Sequence, residues 1–99
     1  MIKHVLLFKL REMESAQEKQ AVMEEIKRRL ESLTAVVPSI KSMEVGLNQN
    51  PREQFDIALI TTHDDWDGLY AYRDHPAHVE VAQFIAQHRE SRSCADFEC

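Results

Sequence analysis

Apolar and polar residues alternate along this chain with two periods, and the change of period divides the chain into seven predicted elements. Alternation with a period near two predicts β-strands over residues 2–11, 40–47, 54–62 and 92–98. Apolar residues three or four positions apart predict helices over residues 14–36, 65–73 and 76–89. We find no internal repeat, linker or low-complexity stretch between these elements.

The first predicted helix has a clear apolar side and clear boundary residues. Its apolar positions are Val22, Ile26, Leu30 and Leu33. Ser15 is the expected N-cap, and Glu18 three residues later completes a capping box. The residue before a proline avoids the helical region of the backbone, so Pro38 predicts the end of the helix.

Two shorter helices are predicted after the third strand. Asp64 is placed to cap the helix over residues 65–73. The apolar side of that helix would contain Trp66, Leu69 and Tyr70. Pro76 breaks this helix and suits the first turn of the next one, where its missing N–H group is not needed.

The first and third strands are apolar on both faces. One face of the first strand carries His4, Leu6, Phe8 and Leu10, and the other carries Val5 and Leu7. A strand of this kind is covered on both sides. The order β-α-β-β-α-β indicates an α+β, ferredoxin-like subunit with a four-stranded antiparallel sheet and helices on one face. Because the other face would expose too much apolar surface, we expect a homodimer that packs its sheets together as a dimeric α/β barrel.

Length and composition exclude several classes of function. Residues 1–99 are enough for a single domain. A net charge of −5 argues against a nucleic-acid partner, because binding to phosphates needs a basic surface. No apolar run approaches the roughly 20 residues of a membrane span, and no signal-peptide pattern is present. Cys94 and Cys99 match no zinc-binding spacing and are not expected to form a local disulfide, which predicts a reducing, cytoplasmic location.

The segment from Tyr72 to His78 concentrates the titratable side chains. It contains one of the two tyrosines and two of the five histidines of the chain. Histidine exchanges protons near neutral pH, so His78 could act as a general base on the carbon next to a carbonyl group. Tyr72 could donate a hydrogen bond to the oxygen that gains charge. The alternative is that His78 bonds to the backbone at the helix start and that Tyr72 only covers an edge of the core.

Four segments together resemble the stress-responsive A/B barrel (Dabb) family. They are Ile2-Lys3-His4-Val5-Leu6-Leu7-Phe8-Lys9, Val37-Pro38-Ser39-Ile40, His75-Pro76-Ala77-His78-Val79 and Asp96-Phe97. The resemblance covers nearly the whole chain and implies a ferredoxin-like subunit in a dimeric α+β barrel. It does not imply one function, because the family includes stress-associated plant proteins as well as an enzyme.

That enzyme is a polyketide cyclase that works without a redox cofactor, and the resemblance transfers its residues to positions of this chain. Its catalytic histidine matches His78, its assisting tyrosine matches Tyr72, and its first-strand histidine matches His4. Two further polar positions of its pocket fall on Ile57 and Leu30, so the polar part of the pocket is only partly kept. We therefore expect a mainly apolar ligand pocket with no cofactor and no metal. The candidate binding residues are His4, His75, Phe8, Ile57, Leu30 and Phe84.

The remaining titratable residues have less specific interpretations. His75 is expected to orient the turn before Pro76 through its ring N–H. His63 lies beside two aspartates, which are ligand types for a metal, but a solvated strand end next to a helix cap is the favoured interpretation. Cys94 could be a nucleophile only if a cation such as Arg92 lowered its pKa.

Three functions are compatible with the sequence. The first is a protein that binds a small molecule, with or without cofactor-free proton transfer of the cyclase, isomerase or lyase kind. The second is a non-catalytic stress-response protein with structural histidines, and the third is a cofactor-free monooxygenase of the dimeric barrel superfamily. A cavity that reaches His78 and Tyr72 would favour the first, whereas a filled core with His78 bonded to the backbone would favour the second.

Overall fold

The computed structural model describes residues 1–99 and contains four strands and three helices. The strands are β1 (Ile2–Leu10), β2 (Ser42–Leu47), β3 (Ile57–His63) and β4 (Arg89–Glu98). The helices are α1 (Ala16–Ser32), α2 (Trp66–Asp74) and α3 (Pro76–His88). The strands form one sheet in the order β2-β3-β1-β4, and every neighbouring pair is antiparallel. This architecture confirms the predicted ferredoxin-like α+β fold.

Helix α1 begins at Ala16, two residues after the start of the predicted span but directly after the predicted N-cap, and it ends earlier than predicted. The side-chain oxygen of Ser15 accepts a hydrogen bond from the backbone N–H of Glu18 at 3.0 Å, which confirms the predicted N-cap. The α-helix ends at Ser32, and a 3-10 turn over Leu33–Ala35 occupies the rest of the predicted span except its last residue, Val36. On the buried side of α1, Met23 takes the place predicted for the half-buried Val22.

Helix α2 differs from its prediction at its cap and on its apolar side. Asp65, not Asp64, is the N-cap, because its extended backbone lets its carboxylate accept from the N–H of Gly68 at 2.7 Å. The buried residues of α2 are Leu69 and Tyr72. The predicted apolar residues Trp66 and Tyr70 are instead exposed, at 39% and 47% of their surfaces.

The core lies between the helices and one face of the sheet. In β1 and β3 every second residue is buried, and the residues between them are only half buried. The strand register places the apolar residues of the other face in one group: Val5, Leu7, Ala58, Ile60, Ala95 and Phe97. We call this group the open-face patch. The patch is the apolar second face that the sequence predicted.

Asp56 fixes the start of β3 against the end of β1. Its side chain is buried, where it accepts from the backbone N–H of Leu10 at 2.7 Å and pairs with the ammonium group of Lys19 at 2.8 Å. Its own N–H donates to the carbonyl of Phe8 at 2.8 Å. These contacts hold Asp56 just before β3, which begins at Ile57 and not at the predicted residue 54.

None of the three helices combines the length and the hydrophobicity that crossing a lipid bilayer requires.

Candidate functional site

A cavity of about 540 Å³ lies between α3 and the half of the sheet formed by β1 and β4. Its apolar walls come from the core residues Leu6, Phe8, Leu30, Leu59 and Ile85. Its polar lining includes His4, His78, Cys94 and Asp96, together with Arg73, Arg89 and Arg92. A cavity of this volume, with apolar walls and a few polar groups, is typical of a small-molecule site.

His78 is held by a hydrogen bond across the break between α2 and α3. Its Nδ1 lies 2.9 Å from the carbonyl oxygen of Arg73. That oxygen is free because Pro76 has no N–H and because the N–H of Ala77 donates to the ring of His75 instead. A carbonyl oxygen only accepts, so the neutral ring of His78 carries its proton on Nδ1 and its lone pair on Nε2.

The environment of His78 keeps the imidazole neutral. Burial lowers its pKa below the ordinary value of 6.5, and this effect outweighs the backbone hydrogen bond to Arg73, which acts in the opposite direction. Nε2 has no hydrogen-bond partner within the chain. His78 therefore lines the cavity as a neutral imidazole whose free nitrogen can accept a proton.

Tyr72 is fully buried in a group of three histidines. The centre of its ring lies 4.4 Å from that of His78, 5.2 Å from that of His63 and 6.3 Å from that of His4. Its hydroxyl has no hydrogen-bond partner in the chain. Burial raises the pKa of Tyr72 to about 12, so the phenol stays protonated and can donate. Tyr72 is not among the residues that line the cavity, and it lies against the inner side of His78.

His63 is a core residue, and its interpretation as a solvated strand end is wrong. It is 0% exposed, its Nδ1–H donates to the carbonyl of Ser39 at 2.8 Å, and its Nε2 accepts from the hydroxyl of Thr61 at 2.9 Å. Burial lowers the pKa of His63. These contacts use both ring nitrogens of a neutral histidine, so His63 supports the packing around Tyr72.

His4, Asp96 and Cys94 converge at the polar end of the cavity. Nδ1 of His4 lies 2.5 Å from Oδ1 of Asp96, and Sγ of Cys94 lies 3.6 Å from each of these two atoms. Burial and the neighbouring carboxylate of Asp96 raise the pKa of Cys94. The nucleophile hypothesis required a cation such as Arg92 to lower the pKa of Cys94. The pKa is shifted in the opposite direction.

The other candidate binding residues divide into two groups. His4, Phe8 and Leu30 line the cavity together with His78. The remaining three lie elsewhere: His75, Ile57 and Phe84.

His75 caps α3, and its Nδ1 accepts from the N–H of Ala77 at 3.1 Å, so its ring acts as an acceptor there and not as the expected donor. Ile57 is buried in the core and borders a second cavity of about 490 Å³ beside the loop that precedes β3. The ring of Phe84 packs under the guanidinium of Arg29 at 3.8 Å.

Asp96 and Cys94 are among the polar cavity residues that sequence reasoning did not assign to the site. Asp96 lies directly opposite His4 in the pairing of β4 with β1, and Cys94 lies opposite Leu6. Residues directly opposite each other in antiparallel strands share a face of the sheet. Pairing the first and last strands of the predicted ferredoxin-like fold is therefore the step that could have found both residues.

Comparison with known proteins gives one family and one fold. A family model described as the stress responsive A/B barrel domain matches residues 2–99. A stress-response A/B barrel domain-containing protein of Arabidopsis thaliana is 30% identical over 84 residues, which are 81% of this chain and 69% of that protein.

Two solved structures extend this comparison. A dimeric protein of unknown function with a ferredoxin-like fold from Bacteroides fragilis is 42% identical, with a TM-score of 0.93 over 99% of this chain and 95% of that chain. A hydroxynitrile lyase from Passiflora edulis is 16% identical, with a TM-score of 0.81 over 97% of this chain and 90% of that chain. At that identity the likeness to the lyase concerns the fold alone.

Proposed function

This chain belongs to the stress-responsive A/B barrel domain family, and we propose that it binds a small, mainly apolar carbonyl compound and moves a proton at the carbon next to the carbonyl. The observation that carries this proposal is the hydrogen bond from Nδ1 of His78 to the carbonyl of Arg73. It leaves Nε2 of a neutral, cavity-lining imidazole free to accept a proton. Such a step underlies cyclisation, isomerisation and related lyase reactions.

The backbone contact of His78 is compatible with catalysis. The buried His63 uses both ring nitrogens, in hydrogen bonds with Ser39 and Thr61. His78 uses only Nδ1, so the contact orients the ring without occupying Nε2. A general base held in one tautomer by a bond to its other nitrogen meets the geometric requirement for proton abstraction.

Tyr72 is proposed as the donor to the ligand oxygen on which negative charge develops. Its phenol is protonated and has no partner in the chain, whereas buried polar groups normally have one. Its ring also packs against His78 at 4.4 Å, which limits the orientations of the imidazole. Because Tyr72 is fully buried and does not line the cavity, its hydroxyl would meet a ligand only where the wall beside His78 opened to admit the ligand oxygen.

The lining of the cavity suggests the class of ligand. Its apolar walls suit an aromatic or alkyl body, as in polyketide-like compounds. Arg73, Arg89 and Arg92 supply three guanidinium groups, against the two carboxylates of Asp74 and Asp96. Guanidinium groups bind carboxylates and other anionic oxygens in a planar, two-bond geometry. We therefore propose a ligand with an apolar body and an acidic or strongly polarised oxygen group at one end.

The open-face patch is proposed as the contact between two subunits. It comprises six apolar residues on a sheet face that no helix covers. A contiguous apolar patch on a soluble protein marks an interaction surface, and a second copy offers an identical patch related by twofold symmetry. The 42% identical protein from Bacteroides fragilis is dimeric. We propose the same assembly for this chain, with sheets packed face to face.

Turnover of a panel of β-dicarbonyl and polyketide-like compounds tests the catalytic part of the proposal. His78→Gln removes the free nitrogen, and His88→Gln is a matched control on the same helix, outside the cavity. Loss of a general base typically costs about 100-fold or more, so His78→Gln should lose at least that factor while the control keeps its activity.

Equal turnover by wild type and His78→Gln would reject the catalytic role. Binding without turnover in every protein would instead support the non-catalytic stress-response alternative. Oxygen consumption with a quinol-type compound would support the monooxygenase alternative.

A further inference from the structure

Three metal-ligating side chains from two strands converge at one end of the cavity. His4 extends from β1, and Cys94 and Asp96 extend from the same face of the neighbouring strand β4. Their ligand atoms all lie within 4.8 Å of one another. The His4 side chain is 7% exposed and that of Asp96 is 31% exposed. The site is therefore buried on the His4 side and accessible on the Asp96 side.

We propose that His4, Cys94 and Asp96 form a binding site for a divalent cation of the zinc type. Zinc bound to nitrogen, sulfur and oxygen at about 2.0–2.3 Å in a tetrahedron places the sulfur roughly 3.6 Å from each of the other two ligand atoms. Sγ of Cys94 lies 3.6 Å from both Nδ1 of His4 and Oδ1 of Asp96. Two of the three ligand separations therefore already match those of a bound zinc ion.

The third separation requires only a local adjustment. Nδ1 of His4 and Oδ1 of Asp96 are 2.5 Å apart, because they are joined by a hydrogen bond. In tetrahedral coordination they would lie roughly 3.4 Å apart. The carboxylate of Asp96 is partly exposed and can rotate by this amount. The cation would take the place of the shared proton, and Cys94 would bind as the thiolate, with its proton released to solvent.

The same geometry argues against a nucleophilic role for these residues. In a catalytic triad the carboxylate and the nucleophile bind opposite nitrogens of the histidine ring. Here Asp96 and Cys94 both approach Nδ1 of His4. Three donor atoms that point at one location fit coordination of a single ion better than a relay of protons.

The donor set selects the kind of ion, and the cavity determines what the ion could bind. A sulfur, an imidazole nitrogen and a carboxylate suit zinc, whereas magnesium requires oxygen ligands in an octahedron. Three protein ligands leave the fourth tetrahedral position open, as in zinc sites that bind a small molecule. All three residues line the cavity, so a ligand oxygen or water could occupy that position.

This site does not depend on the proposed role of His78, and its test measures binding alone. The full-length protein is freed of metal with a chelator and dialysed against zinc, and the bound metal is counted by elemental analysis. Cobalt is then used as a spectroscopic probe, because a thiolate ligand produces a charge-transfer absorption band. The variants are Cys94→Ser and Asp96→Asn, and Cys99→Ser is the control for the other free cysteine.

We expect one zinc ion per chain in the wild type and in Cys99→Ser, with a thiolate-to-cobalt band in both. Cys94→Ser should lose the band and weaken zinc binding by at least about 10-fold, a loss that even supporting partners of metal ligands can cause. Asp96→Asn, which leaves the sulfur in place, should weaken binding and keep the band. Melting curves without metal show whether each variant folds.

Binding of zinc by folded Cys94→Ser with wild-type affinity would overturn the proposal. So would a wild-type stoichiometry well below one, or equal competition by magnesium. If Cys94→Ser did not fold, Asp96→Asn would decide the question by the same comparison of affinity.

Discussion

Nδ1 of His78 and the carbonyl oxygen of Arg73 are joined by a hydrogen bond of 2.9 Å that spans the break between α2 and α3. The break arises because Pro76 begins α3 and His75 caps it, which leaves the Arg73 carbonyl without a helical partner. The motif that ends one helix thus also fixes the tautomer of a cavity histidine.

The pH dependence of activity should report the lowered pKa of His78. Burial places this pKa below 6.5, so the imidazole stays neutral and competent as a base at pH 6.5 and above. We expect kcat/KM to fall on the acid side with a midpoint below 6.5, because the free enzyme loses its base on protonation. A pH profile on any compound that the protein turns over measures the midpoint. An acid midpoint above 6.5 would contradict this assignment.

The pH dependence of stability should report His63. Its pKa is lowered in the folded chain, so the unfolded chain binds more protons in acid. The neutral, buried imidazole therefore contributes stability above pH 6.5, and this contribution is lost as the pH falls through 6.5 towards the folded value. Urea denaturation at several pH values between 5 and 7.5 measures the loss. His63→Gln should lose less stability over this range than wild type, and an identical slope in both would reject the prediction.

Removing the hydroxyl of Tyr72 should change stability and activity in opposite directions. A buried polar group without a partner costs about 1–3 kcal/mol, so Tyr72→Phe should raise the free energy of unfolding by about 1 kcal/mol. It should also slow turnover if the phenol donates to the ligand. Tyr70→Phe, at an exposed position of the same helix, is the control for both measurements. A destabilised Tyr72→Phe would mean that the hydroxyl has a partner in the folded protein.

The assembly prediction concerns the open-face patch. Leu7 belongs to β1, the central strand of the patch, and lies between Ala58 of β3 and Ser93 of β4. A lysine there would bury a charge at the sheet-to-sheet contact, so Leu7→Lys should shift the protein from dimer to monomer. Val36→Lys, at an apolar residue that is 53% exposed outside the sheet, should leave the dimer intact. Equilibrium sedimentation at micromolar concentration distinguishes the two states, and a wild-type monomer would refute the assembly.

The fold could be predicted from the sequence because its patterns are redundant. Three patterns indicate the same topology: apolar residues on both faces of the first and third strands, the helical spacing of apolar residues over 14–36, and the helix break at Pro76. Errors occurred where neighbouring residues offered the same chemistry. Asp64 and Asp65 are equally good caps in sequence, and only the backbone shows that Asp65 is the cap while Asp64 pairs with Lys41 at 3.2 Å.

The site could be predicted only in part, because its polar end depends on pairing across the sheet. His78 and His4 were expected near a pocket, and both line the cavity. Asp96 became a partner of His4 only through the register of β4 against β1, which is 92 residues away in sequence. His63 lies two residues beyond Thr61 on the buried face of β3, but the predicted strand ended at residue 62, so its burial beneath α2 was not expected.

Hydrogen exchange at the carbon next to a carbonyl tests the central claim most directly. Acetophenone and ethyl acetoacetate are incubated with the protein in D2O at neutral pH, and loss of the proton signal is followed by NMR. Because Nε2 of His78 is the proposed base, wild type should accelerate exchange at least about 100-fold more than His78→Gln. His88→Gln should match wild type. Equal exchange rates for wild type and His78→Gln, at concentrations where both bind the compound, would contradict the claim that His78 transfers the proton.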